Sequence, residues 1–170
     1  MTTLEPDTGK GPLLIDIAIE AEGWLAVPDL PDPARLVETA IGHAAHAVVE
    51  SLPQYAEVSV LLADDAAVQA LNARWRGQDK PTNVLSFAAN DADAPQSPLL
   101  GDIVLALETV LREARAQNKT ASHHLAHLSV HGFLHLLGHD HLNDEEAETM
   151  EAKERAILAD LGIADPYAAS

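Results

Sequence analysis

One stretch of this chain sets apolar helix against metal chemistry. From about Thr120 to Leu137 the residues are apolar nearly all round the second half, with Leu125, Leu128, Val130, Phe133, Leu134, Leu136 and Leu137. A helix of that kind lies in the centre of a domain, not on its surface. Yet it carries His131 and His135, four apart and therefore one turn apart on the same face. Gly138 follows three residues after His135, where a helix can end in a left-handed turn. The chain then folds back, so that His141 can reach the first two imidazoles. Three neutral imidazoles and an open fourth position describe a catalytic zinc site better than a structural one, and nickel or copper also accept imidazole.

The spacing is similar to that of metzincin proteases, H-E-x-x-H-x-x-G-x-x-H. The glutamate that serves those enzymes as general base is replaced here by Gly132. The ligand spacing survives without the proteolytic base, so peptide hydrolysis by that route is disfavoured. Asp140, between Gly138 and His141, reads as an acceptor that orients an imidazole or fixes the turn. His127 extends the stripe His127–His131–His135 and reads as lining the cleft or hydrogen-bonding behind the ligands. His124 reads as a hydrogen-bonding neighbour.

The full string His131-Gly-Phe-Leu-His135-Leu-Leu-Gly138-His-Asp140-His141 resembles the signature of the YbeY family. So does the block from Arg76-Gly77 through Pro81-Thr82-Asn83-Val84-Leu85-Ser86-Phe87, and so does Leu100-Gly101-Asp102-Ile103. The blocks stand in family order across roughly residues 35 to 160. His139 departs from the family, which usually has an aromatic there, and Ala88 departs where Pro is frequent. The resemblance implies a single-strand-specific, metal-dependent endoribonuclease of ribosomal RNA maturation and ribosome quality control. It implies zinc or another divalent transition metal at His131, His135 and His141. It also implies single-stranded ribosomal RNA, the small ribosomal subunit and the GTPase Era as partners. Attack by hydroxide and attack by a ribose hydroxyl both stay open. Two other readings stand beside this one: a metal-stabilised ribosome-assembly factor without activity, and a hydrolase of a small ester or amide.

Arg76 is the expected catalytic cation, because a guanidinium holds a phosphodiester through two parallel hydrogen bonds and offsets transition-state charge. The sequence places it in a polar loop after a short helix ending near Arg74. Trp75 reads as a base-stacking platform or as core. The net charge of −17 opposes non-specific binding to duplex nucleic acid. The charge is uneven, however. Residues 74–119 hold six bases and six acids, whereas the remainder holds four bases and 21 acids. A local cationic lane on an acidic body is therefore expected.

The 170 residues fit one domain, and the 47% hydrophobic content is ordinary for a globular protein. There is no cysteine, so a metal must be held by His, Asp, Glu or backbone oxygen. No apolar run approaches the roughly 18 residues that span a membrane, the N-terminus does not read as a secretory signal, and a cytoplasmic location is expected. Residues 1–11 read as a flexible tail and 12–165 as a single metallohydrolase domain. Strands are expected over 13–20, 57–63, 83–87 and 100–105. Helices are expected from Asp32-Pro33 to about Ser51, from Asp64 to about Arg74, over 108–118, from Thr120 or Ser122 to about Leu137, and after Asp144. The fold class is α+β: one mixed sheet of about four strands, about five helices, and a central histidine-bearing helix.

Overall fold

The computed structural model describes residues 2–4, 13–89, 98–138 and 143–167. It is an α+β fold. The strands are β1 (Thr2–Leu4), β2 (Leu13–Ile19), β3 (Glu57–Ala63), β4 (Val84–Ala88) and β5 (Leu99–Ala106). The helices are α1 (Pro33–Ala47), α2 (Asp65–Arg76), α3 (Leu107–Ala116), α4 (Ala121–Leu136) and α5 (Asp144–Asp160). The sheet order is β1-β2-β3-β5-β4. The central β2–β3 and β3–β5 pairs are parallel, whereas β1 and β4 join the edges antiparallel. The mixed sheet thus gains a fifth strand from residues 2–4, which the sequence placed in a loose tail.

Alternation along the strands sends Ile15, Val58, Val60, Leu62, Ile103 and Leu105 to one face, where they join the main core. Ala63, Leu85, Val104 and Ala106 pack instead with Val68 of α2 on the other face. Helix α4 packs against α1, α3, α5, β4 and β5, so the expected central position is found. Its Leu125, Val130, Phe133 and Leu134 are fully buried. Truncating Phe133 to Ala would cost on the order of 3–5 kcal/mol, lost transfer energy plus a cavity.

Local chemistry sets the helix ends. The carboxylates of Asp32 and Asp64 and the hydroxyl of Thr120 each accept an N–H from the first turn of α1, α2 and α4. Asn143, not Asp144, caps α5. Helix α3 has Ala106 at its N-cap, which offers no capping side chain. Asp65 supplies that cap from α2, accepting the Thr109 N–H at 3.0 Å, while Glu108 accepts the Asp65 N–H at 2.9 Å. The N-termini of α2 and α3 are therefore clasped together. Trp24, read as part of a connection, is an anchor: it is fully buried and its indole N–H donates to the Ala63 carbonyl at 2.8 Å.

Candidate metal and substrate cleft

Gly132 explains how α4 reaches the sheet. A Cβ there would lie 3.1 Å from Ile103, 3.2 Å from the Ser86 hydroxyl and 3.3 Å from Val84. Ser86 donates to the Gly132 carbonyl at 3.1 Å. This position faces β4 and β5, with no room for a glutamate. The missing protease base is thus a consequence of close helix–sheet packing as well as of sequence.

Beside this packing contact a cleft of about 950 Å³ opens. Its walls are the end of α2, the segment from Gln78 to Ser86, part of α3, and the His131 and His135 side of α4. The imidazole centroids of His131 and His135 are 4.9 Å apart. Gly138 has φ of +94°, the left-handed turn expected after the helix, and its N–H donates to the His135 carbonyl. Asp140, His141 and the divergent His139 lie outside the described residues.

Behind His131 is a carboxylate that the sequence reading missed. The His131 Nδ1–H donates to Glu154 Oε1 of α5 at 2.5 Å. The other oxygen, Oε2, accepts the Tyr167 hydroxyl, and that hydroxyl accepts the His127 Nε2–H at 3.1 Å. Glu154 is completely buried. Burial alone would push its carboxyl up; the hydrogen bonds from His131 and Tyr167, with the nearby imidazoles, hold it below the usual carboxylate range. Burial holds His127 down to about 4, so it is a neutral imidazole near neutral pH. Burial and the Glu154 carboxylate push the Tyr167 phenol up. Among the described residues, His127, His131 and Glu154 form a group able to hold a metal, with ligand atoms within 4.8 Å of one another.

A readable signal for Glu154 existed. It lies four residues after Met150 and four before Leu158, both buried, so it sits on the apolar stripe of α5. An acid on that stripe needs a buried partner. Glu113, half-buried on α3, was missed as well. It accepts from Asn83 at 2.9 Å and is 2.8 Å from His124 Nε2, which ties α3, α4 and the loop before β4 together. His124 is thus a buried hydrogen-bonding neighbour, as read.

Arg76 is not in a loop. It is the last residue of α2, which Gly77 terminates. Its Nη2 donates to the Ser86 carbonyl at 2.6 Å, and the guanidinium lies 5.5 Å from the Phe87 ring centroid. It lines the same cleft as His131 and His135. Trp75 is not part of the core: it is 62% exposed and lies outside this cleft. It borders an apolar hollow of about 580 Å³ on the other face of the sheet, whose lining holds Asp16 and Asp102 but no histidine or cation.

With the geometry in hand, comparison with known proteins is decisive. Residues 31–162 match the family model described as Endoribonuclease YbeY. An Endoribonuclease YbeY from Azorhizobium caulinodans is 52% identical, with 91% of this chain and 96% of the relative covered. One from Allorhizobium ampelinum is 50% identical, covering 91% and 94%. The solution structure of TM1509 from Thermotoga maritima matches with a TM-score of 0.58 at 26% identity, covering 88% of this chain and 92% of that one. The chain belongs to the YbeY endoribonuclease family and carries a histidine–carboxylate group able to coordinate a metal.

Proposed function

We propose that this protein cleaves single-stranded RNA with one divalent metal, zinc, held by His131, His135 and His141. The observation that carries the proposal is the shared cleft: His131, His135 and Arg76 line one cavity although they come from α2 and α4. The donor set fits a borderline-soft ion, since imidazole is available and thiolate is not. When bound, such an ion supplies Lewis acidity and activates water.

The remaining work falls to the protein's own groups. Glu154 fixes His131 with its proton on Nδ1, which presents Nε2 as the ligating nitrogen. Both oxygens of Glu154 are engaged and the residue is fully buried, so it suits an orienting role better than ligation. Arg76 is held by Ser86 and Phe87 with donors to spare, so it can grip a phosphodiester without reorganising. The absence of space beside Gly132 for a peptide-cleaving base, and the cations of the cleft, favour phosphate over peptide or small ester.

Family resemblance supplies the biological setting. The substrates are single-stranded ribosomal RNA, including small-subunit precursor ends, the partners are the small ribosomal subunit and the GTPase Era, and the location is the cytoplasm. The test pairs metal analysis of purified protein with cleavage of a defined single-stranded RNA and an unstructured peptide. RNA cleavage that follows metal content supports the reading, whereas peptide cleavage without RNA cleavage overturns it. An inert, metal-loaded protein would favour the assembly-factor role. Product ends assign the nucleophile: a cyclic phosphate marks the ribose hydroxyl and a linear monoester marks water.

A further inference from the structure

We propose that Arg112 is a second phosphate-binding residue of the cleft, and that it makes turnover depend on substrate length. The proposal rests on the ribonuclease reading above and deepens it.

Arg112 lies on α3 and lines the same cleft as Arg76, His131 and His135. Its side chain is 64% exposed. One guanidinium nitrogen, Nη2, donates to the Thr109 hydroxyl at 3.1 Å. Among the described residues its carboxylate neighbour is Asp65, 4.0 Å away and beyond hydrogen-bonding distance. Both Asp65 oxygens are already engaged by Thr109: Oδ1 accepts its N–H at 3.0 Å, and the hydroxyl lies 2.9 Å from each oxygen. The adjacent acid, Glu113, is tied to Asn83 and His124. A guanidinium has five N–H donors. Arg112 is therefore aimed by Thr109 and only weakly neutralised, with most of its donors left for a ligand.

Position gives this cation its meaning. Arg112 stands beside Asp65, the first residue of α2, whereas Arg76 is the last. Those two ends are about 16 Å apart by the rise of an α-helix. Each guanidinium is held where it is, Arg76 by Ser86 and Arg112 by Thr109. Bidentate phosphate contacts need donors within about 3 Å of the oxygens. Held on different anchors along one cleft wall, the two cations are assigned different phosphates in this proposal: Arg76 the one beside the histidines, Arg112 one further along. A strand whose reacting phosphate meets Arg76 beside the histidines must extend further along the cleft before it meets Arg112. A substrate with a single phosphodiester is therefore expected to use Arg76 alone.

The experiment uses the metal-loaded full chain, a dinucleotide, and a single-stranded RNA of about a dozen nucleotides, within the range that single-strand sites occupy. Arg112→Ala is expected to raise KM for the longer RNA about fivefold with kcat within about twofold, the mark of lost binding that is uniform along the reaction. The kcat/KM for the dinucleotide should fall less than about twofold. The salt slope of binding to the longer RNA should drop by about one charge. Arg112→Lys keeps the charge and should keep the slope. Thr109→Val keeps the guanidinium but removes what aims it, so it should raise KM by a smaller factor. Metal content of every variant and the melting temperatures of both Arg112 variants should match the parent, whereas Thr109→Val, which also strips a hydrogen bond from Asp65, should melt lower. Equal losses on both substrates, an unchanged KM for the longer RNA, or a loss confined to kcat would each overturn the proposal. If the parent cleaves neither RNA, the ribonuclease reading fails first. If the parent cleaves both and Arg112→Ala matches it, only the role of Arg112 fails.

Discussion

The two walls of the cleft are built differently. The α4–α5 wall is a buried network: His131 and His127 converge on a fully buried Glu154, with Tyr167 closing the other oxygen. The wall formed by α2 and α3 is a rim of cations, with Arg76 at a helix end and Arg112 64% exposed. A network in the core couples its chemistry to folding, because each group left unpaired there carries a desolvation penalty. A cation at the rim is wetted when its ligand is absent, so its loss is felt in substrate binding or in the transition state and little in folding. One wall should therefore govern metal and stability together, and the other should govern substrate binding and turnover.

The largest effect expected is from His135→Ala. It should abolish RNA cleavage and metal retention and lower the melting temperature, since metal affinity contributes to folding. Metal analysis with a thermal melt checks this, and a variant that keeps its metal would break the contrast. Arg76→Ala should lower kcat/KM for RNA by about 10²–10³-fold, the usual cost of removing one preorganised donor. Its metal content and melting temperature should stay within error of the parent. Loss of metal in that variant would move Arg76 to the structural side.

Glu154→Gln sharpens the comparison by keeping volume and removing charge. Weakened orientation of His131 should cost about 10–100-fold in metal affinity, read by competition with a chelating dye. The smallest effect concerns pH. Burial holds His124 below its ordinary value of 6.5, outweighing its hydrogen bond to Glu113. A histidine whose folded pKa is depressed binds its proton more tightly when unfolded. Its contribution is intact above about pH 6.5 and is lost as pH falls below that value. Melting temperatures of the parent across that window should slope more steeply than those of His124→Gln.

How much of this was legible in the sequence follows from how local each signal is. His131 and His135 announce themselves through one helical turn, and Gly138 through the left-handed turn it adopts. Arg76 was found from the block around it, although its helix runs two residues further than expected because Gly77 supplies the stop. Glu154 stood on an apolar stripe, but its partner lies on another helix and no spacing along α5 names it. The Asp65–Thr109–Arg112 arrangement depends on two helix N-termini meeting, which is a property of the sheet topology. The fifth strand, Thr2–Leu4, was hidden for a related reason: three residues carry no periodicity, and only their pairing with β2 defines them.

The central claim concerns which atoms hold the metal, and an anomalous-difference map at the metal edge of zinc-loaded crystals tests it most directly. The account predicts one peak per chain, about 2.0–2.1 Å from nitrogens of His131, His135 and His141. Glu154 should be outside the coordination sphere and still bonded to His131. A peak ligated by Glu154 together with His127 and His131, or imidazoles of His131, His135 and His141 that share no ion, would contradict it.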